Sequence, residues 1–325
     1  LWVSMSDLII RVLQEYDIRP PVSVTPFHGG AGFSGSSIWK VTWDSQDYCL
    51  KQWPQDKPSV HTRQLISRVI PEVQRQGLSI AVPQETNAGR RFLFFENRFW
   101  DLSPWVAGAP IKDRILTETQ LQSAMQWLAR YHNLSSSLMS EKGKSTALAY
   151  RLKLSQQLLD GQLDRLSRCE IAGLESGLAP LFISYARQKL PMLLQALEHY
   201  AHFEMMLLPA LSDIWSDHVF FEGDKVSGVI DFGAIKMDSA CLDLARFLGS
   251  YGCHSDSVMK QGLEYYQLER VLGRNDVELV ELYDRAYVVL AGIQWLIWLG
   301  PEQRVFKQMA IVNRHLKGLA QRIDF

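Results

Sequence analysis

Between Leu207 and Gly249 the chain reads LLPALSDIWSDHVFFEGDKVSGVIDFGAIKMDSACLDLARFLG, and this stretch constrains the fold more than any other. The apolar run Met205 to Leu211 delivers Asp213 to the start of a loop. Val219-Phe220-Phe221 and Val226 to Ile230 have the composition of two short strands, with Glu222-Gly223-Asp224-Lys225 as the turn between them. The second strand ends in Asp231-Phe232-Gly233. A hairpin here would bring Asp213, His218 and Asp231 toward one point, so the segment predicts a carboxylate site at the end of a small sheet.

Such a set suits phosphoryl transfer, where one carboxylate orients an acceptor hydroxyl and other ligands hold Mg²⁺ on nucleotide phosphates. Asp213 fits the first role and Asp231 the second, with His218 five residues past Asp213. The pattern resembles the aminoglycoside phosphotransferase and choline kinase-like family of the protein-kinase-like fold, whose loop reads roughly H-x-D-x-x-x-x-N before a D-x-[DG] or DFG strand. Leu211 stands where that family has His, and His218 where it has Asn. The Leu242-Asp243-Leu244-Ala245-Arg246 run matches the family's D-L-A-R continuation. The resemblance implies an α+β, bilobal fold: an N-terminal antiparallel-sheet lobe over 1–104 that binds nucleotide, and a larger, mainly helical lobe over 105–325 carrying the catalytic loop and acceptor site.

The N-terminal third fits a nucleotide clamp. Apolar residues at helical spacing from Leu8 to Tyr16 predict a leading helix stopped by Pro20-Pro21. The run from Gly29 to Ser37 follows, and then two strands, Ile38 to Trp43 and Tyr48 to Trp53. Glycines let backbone approach phosphate closely, so Gly30, Gly32, Ser34, Gly35 and Ser36 are candidates to cover nucleotide phosphates, although glycine-rich hairpin turns are equally common. Lys51 lies on the second strand, where the family places the lysine that holds the α- and β-phosphates. The usual partner is a glutamate on the next helix, expected between Ser59 and Gln76, and Glu72 is the acidic residue there. Pro71 would disturb that helix just before it, and a solvent-facing Glu72 at a kink is the competing reading.

A hairpin is expected next, with Asn87 to Arg90 turning between Val82–Thr86 and Arg91–Glu96, then a further strand from Asn97. In the family the lobes join at this point and connecting backbone contacts adenine, which implies roles for Leu102, Ser103 and Trp105. Farther on, Thr117 and Gln120 form a capping-box signal for a helix. Its Ala129-Arg130-Tyr131-His132 resembles the family's L-A-x-x-H segment, with His132 a packing residue. Leucines at helical spacing from Tyr150 to Tyr200 predict two helices interrupted at Gly173 and Gly177. Helices near Ser257–Arg270, Asp276–Leu299 and Glu302–Ile323 complete the chain.

With 325 residues and 47% hydrophobic content, the chain can bury a large core. A net charge of −1 gives no electrostatic footprint for nucleic acid or an anionic membrane. Val288 to Leu299 is about half the roughly 20 apolar residues a membrane span needs. No signal-peptide pattern opens the sequence, and the four cysteines show no metal or disulfide spacing, so a reducing, cytoplasmic setting is expected.

The resemblance thus implies ATP as donor, with GTP the alternative, and Mg²⁺ as metal. Imidazole suits softer metals than Mg²⁺, so His218 would favour Mn²⁺. Between Ser255 and Arg285 seven acids face four bases. With Trp295, Trp298, Tyr283 and Tyr287 they would suit a cationic small-molecule acceptor, the competing reading being a solvated face and ordinary core aromatics. Leu211 and His218 also motivate a competing class, a catalytically impaired nucleotide-binding pseudokinase with a binding or regulatory role. Acceptor identity and oligomeric state are open from sequence.

Overall fold

The computed structural model describes residues 5–27, 35–112, 116–251, 256–306 and 308–323. The chain packs as two compact units, one of residues 1–111 with 217–236 and one of 112–216 with 237–325. The first unit therefore reaches past residue 104 and takes in the hairpin that carries Asp231, which the sequence alone groups with the helical part.

The first unit opens with α1 (Met5–Gln14), followed by β1 (Ser23–Pro26), β2 (Ser37–Trp43) and β3 (Gln46–Gln52). Asp44 and Ser45, both at positive φ, make the tight β2–β3 turn, which matches the twist of the flanking strands. After α2 (Val60–Arg75), β4 (Leu93–Phe95) and β5 (Arg98–Pro104) complete an antiparallel sheet of order β1-β2-β3-β5-β4. Period-2 alternation turns Trp39, Val41, Leu50, Trp100 and Leu102 inward, where Ile9, Val12 and Leu13 of α1 and Tyr16 just after it cover them. A two-residue strand β6 (Ala109–Pro110) follows.

Two expectations fail in this unit for identifiable reasons. The hairpin turn falls at Glu96-Asn97, both at positive φ, and not at Asn87–Arg90. Residues 82–86 stay outside the sheet because Pro83 has no amide to give a ladder; only the Gln84 N–H reaches β5, at the Leu102 carbonyl (2.7 Å). Pro71 does not break α2, which continues to Arg75. The carbonyl that loses its helical donor belongs to exposed Ser67, where water can replace it, while Leu65, Ile66, Val69, Ile70 and Val73 hold the buried face.

The helical unit starts at α3 (Glu118–Leu138), whose capping box forms as expected: Thr117 accepts from the Gln120 N–H and the Gln120 side chain from the Thr117 N–H. Then come β7 (Glu141–Gly143), α4 (Thr146–Gln157), a π-turn over Leu158–Gln162, α5 (Leu163–Leu166), α6 (Leu178–Ala201) and β8 (Met205–Ala210). Gly177, at φ 91°, starts α6. The chain next contributes the hairpin β9 (Val219–Glu222) and β10 (Lys225–Val229) to the first unit, where β9 also pairs with β6. Returning through β11 (Lys236–Asp238), it finishes with α7 (Ala240–Ser250), α8 (Asp256–Gln267), α9 (Arg274–Leu299) and α10 (Met309–Ala320).

Helix α10 is shorter than the Glu302–Ile323 span the sequence suggests, since Gln303 takes positive φ and the Arg304 N–H turns back to the Trp298 carbonyl. Trp295 is buried against Trp298, Phe306 and His315 as core. Among the described residues no helix is long and apolar enough to cross a membrane.

Restoring the amide that α2 lacks should strengthen it. Pro71→Ala is expected to raise the urea-unfolding free energy by about 1–3 kcal/mol. An unchanged or lower midpoint would show that the helix has adapted fully to the proline.

Candidate active site

In the first unit the site grows from β3 and the β9–β10 hairpin. Lys51 on β3 has a side chain only 12% exposed, and its Nζ donates to Asp231 Oδ1 at 2.8 Å. The same ammonium sits 4.0 Å over the Trp53 ring. Asp231 follows β10 at φ 60°, a left-handed conformation costly for a residue with a side chain. Its carboxylate also accepts from the Gly233 N–H, and His218 Nε2 lies 4.0 Å from Oδ2. Burial works to raise the Asp231 carboxyl, but the charges of Lys51 and His218, with the Lys51 and Gly233 hydrogen bonds, hold it well below the usual carboxylate range. Lys51 moves the other way: burial works against its charge, and Asp231 and Asp101 outweigh it and raise the ammonium.

Asp101 is a neighbour of Lys51 that the sequence does not announce. It sits on β5 directly across the ladder from Lys51 and is 6% exposed. Trp53 Nε1 donates to Oδ2 at 2.5 Å and Ser103 Oγ to Oδ1 at 3.3 Å. Burial pushes its carboxyl up to about 6, opposed by Lys51 and these two hydrogen bonds. The signal was an Asp amid strand residues in Phe99-Trp100-Asp101-Leu102, at the middle of β5. Glu72 stands elsewhere: its carboxylate pairs with Arg75 and accepts from Gln76 on its own helix turn.

Other sequence candidates fall in mixed places. Gly30, Gly32 and Ser34 lie outside the described residues. Gly35 takes φ 74°, and Ser36 is half-buried just before β2. Leu102 is buried and its carbonyl is engaged by Gln84; the Trp105 N–H donates to the Asp47 carbonyl at 2.9 Å. Both of those backbone groups are thus used inside the unit. Ser103 spends its hydroxyl on Asp101.

In the helical unit Asp213 follows Ser212, which is itself at φ 65°. What fixes that turn is Asp243 of α7, wholly buried, whose Oδ2 accepts the Leu211 N–H at 2.8 Å and whose Oδ1 accepts the Ser212 N–H at 2.6 Å. Oδ2 is also 3.1 Å from His132 Nε2, and His132 Nδ1 is 2.8 Å from the Tyr266 hydroxyl. An acceptor-only carboxylate places the imidazole proton on Nε2, so Nδ1 accepts from Tyr266. Burial lowers the His132 pKa, against the pull of Asp243. The loop is held by its backbone, so a leucine at 211 costs it no anchor. Asp213 itself has Oδ1 3.0 Å from Arg246 Nε.

A strand lysine ion-paired to an Asp-Phe-Gly aspartate, and a loop aspartate anchored through its backbone to a following helix, define a phosphotransferase of the protein-kinase-like class. The chain belongs to the APH phosphotransferase enzyme family, whose model matches residues 23–275. Its fold is similar to that of spectinomycin phosphotransferase APH(9)-Ia in complex with ADP and spectinomycin, at 13% identity, 95% of this chain, 98% of that one and a TM-score of 0.61. A microcompartment-associated aminopropanol kinase aligns at 14% identity over 97% and 95% of the two chains, with a TM-score of 0.64. Amicoumacin kinase hAmiN in complex with AMP-PNP and Ca²⁺ aligns at 12% over 98% and 93%, with a TM-score of 0.62. No curated protein sequence matches the chain.

The raised Asp101 carboxyl has a measurable signature. Its folded value of about 6 lies above the ordinary 3.8, so the folded chain keeps a proton that the unfolded chain releases. Stability from this group is present at low pH and is lost as pH rises from about 4 to about 6. Asp101→Asn cannot titrate, so the wild-type minus variant unfolding free energy should fall by up to about 3 kcal/mol across that window. A pH-independent difference in urea titrations at pH 4 and 7 would contradict this environment for Asp101.

Proposed function

We propose that the chain is a kinase that transfers the γ-phosphoryl group of ATP, or of GTP, to a hydroxyl, less readily an amine, of a small molecule. The observation that carries this reading is the Lys51–Asp231 pair, set in a chain of the phosphotransferase family. Relatives of the same fold that are a spectinomycin phosphotransferase and an aminopropanol kinase support a small-molecule acceptor. Free Cys49, Cys169 and Cys241 agree with a reducing, cytoplasmic setting.

In this reading the first unit binds nucleotide and the second binds acceptor. Lys51, pre-charged and pre-oriented by Asp231, Asp101 and Trp53, holds the α- and β-phosphates. The loop with Gly30, Gly32, Ser34, Gly35 and Ser36 covers them, and the segment from Leu102 to Trp105 borders the base. Glu72 has no part, because Arg75 and Gln76 occupy its carboxylate. The donor set of an ionised carboxylate and an imidazole nitrogen, Asp231 and His218, fits a divalent cation, which these two residues would hold. Bound there, such a cation would neutralise phosphate charge. Asp213 accepts the proton of the acceptor hydroxyl, and Arg246 fixes its carboxylate. Catalysis is then positioning and charge compensation.

Asp213→Ala should cut phosphoryl transfer by about 10²–10⁴-fold, with nucleotide affinity within about threefold of wild type by calorimetry. Transfer that persists in this variant would remove Asp213 from its role.

Because imidazole suits Mn²⁺ better than Mg²⁺, turnover should be higher with Mn²⁺, and His218→Asn should shift the preference toward Mg²⁺. Equal metal profiles for the two proteins in a titration would separate His218 from the metal.

A further inference from the structure

Two arginines of the helical unit stack on successive turns of one helix. Arg151 of α4 lies 5.2 Å from the Tyr283 ring centroid, and Arg246 of α7 lies 4.6 Å from that of Tyr287. The two tyrosines are four residues apart on α9, which puts them on one face with a rise of about 6 Å between them. The guanidinium groups are near enough to repel: burial is the main cause that lowers the Arg151 pKa, and the Arg246 charge adds to it.

Their counter-ions do not balance. Arg246 donates to Asp213 and also meets the Trp215 ring at 5.4 Å. Arg151 makes one hydrogen bond, from Nη1 to the Ala147 carbonyl of its own helix at 3.1 Å, and among the described residues no carboxylate ion-pairs with it. Asp238 is the acid whose charge it feels. Both Asp238 oxygens are already taken: Oδ1 accepts from Ser145 Oγ and the Ser239 N–H, and Oδ2 from Thr146 Oγ1 and the Ala147 N–H. A half-buried guanidinium that uses one of its five N–H donors beside a second cation leaves four donors and an uncompensated charge open to an anion.

Four of the seven acids in the segment that pointed to a cationic acceptor are engaged within the fold. Glu269 pairs with Arg130, Glu278 with Tyr200 and Arg274, Asp284 with Arg322, and Asp276 caps α9 at the Gly273 N–H.

We infer that Arg151 and Arg246 form an anion subsite, and that the acceptor is a hydroxyl compound bearing a carboxylate or a phosphate monoester. The anionic group bridges the two guanidinium forks while the hydroxyl lies beside Asp213. This substrate class rests on the phosphotransferase reading above.

The test titrates the full chain by calorimetry with D-glycerate, glycerol 3-phosphate, glycerol, choline and kanamycin, and follows ADP release on the same set. At least one anionic probe should bind more tightly than glycerol, choline and kanamycin. Arg151→Gln should weaken that binding about tenfold or more, Arg151→Lys should restore part of it, and exposed Lys153→Gln on the same helix should leave it unchanged. In turnover, Arg151→Gln should raise the acceptor KM by a similar factor while the ATP KM stays within about twofold. Preference for glycerate assigns a carboxylate, and preference for glycerol 3-phosphate a phosphate ester.

Tighter binding of choline or kanamycin, no binding of either anion at millimolar concentration, or anion affinity unaltered in an Arg151→Gln protein of wild-type melting temperature would each overturn the inference. Arg151-dependent anion binding with no ADP release sinks the phosphotransferase reading and leaves the subsite standing.

Discussion

The turn that presents Asp213 in the helical unit depends on one buried carboxylate, Asp243. Its two oxygens accept two backbone N–H groups from the loop and face one imidazole nitrogen, so a group that would be expensive to bury alone is fully compensated. The return is geometric. Ser212 adopts a left-handed conformation that costs about 1–3 kcal/mol for a residue with a side chain, and the Asp243–Ser212 hydrogen bond keeps it there. With Ser212 fixed, Asp213 leaves the loop in a defined direction. His132 and Tyr266 extend the network to α3 and α8, tying the loop to three helices at once.

This explains how the loop can depart from its family's sequence without losing its shape. A histidine at 211 would act through its side chain, whereas Asp243 grips the amides at 211 and 212, which any residue but proline supplies. Leu211 instead buries itself. The first unit shows a related exchange of parts. Its lysine is anchored by Asp231 and flanked by Asp101 and Trp53 from the sheet itself, so α2 is released from supplying a counter-ion. A sheet-borne partner is held by the ladder on both sides, and strands position side chains more rigidly than one turn of a helix whose exposed face carries a proline.

The parts legible in the sequence were those written in local chemistry. The β2–β3 hairpin, the Thr117–Gln120 capping box, Asp231 after a strand and Asp243 in its helix each follow from neighbours a few residues away. What was not legible depends on distant partners. Pro71 looks like a helix breaker until five buried apolar residues outweigh the lost amide and exposed Ser67 lets water take the orphan carbonyl. The Glu96-Asn97 turn was hidden because Asn-Ala-Gly upstream is the stronger local turn signal, and only Pro83 betrays that the preceding run cannot join a ladder. Asp101 became informative only when β5 was registered against β3, a pairing across fifty residues.

Charge counting along the chain meets the same limit, and the limit bears on chemistry. Seven acids against four bases between Ser255 and Arg285 describe a segment, whereas a ligand meets side chains gathered from several segments. Once folded, four of those acids are spent on arginines, a tyrosine hydroxyl or a helix cap, three of their partners coming from outside the segment. The two arginines that share the α9 tyrosine face are ninety-five residues apart in sequence, and neither has the excess charge of its neighbourhood to announce it. Stacking on an aromatic ring holds a guanidinium without neutralising it, since the ring offers a quadrupole and no net charge. Arg151, positioned by a tyrosine, therefore keeps its positive potential for a ligand, where Arg246 shares part of its charge with Asp213.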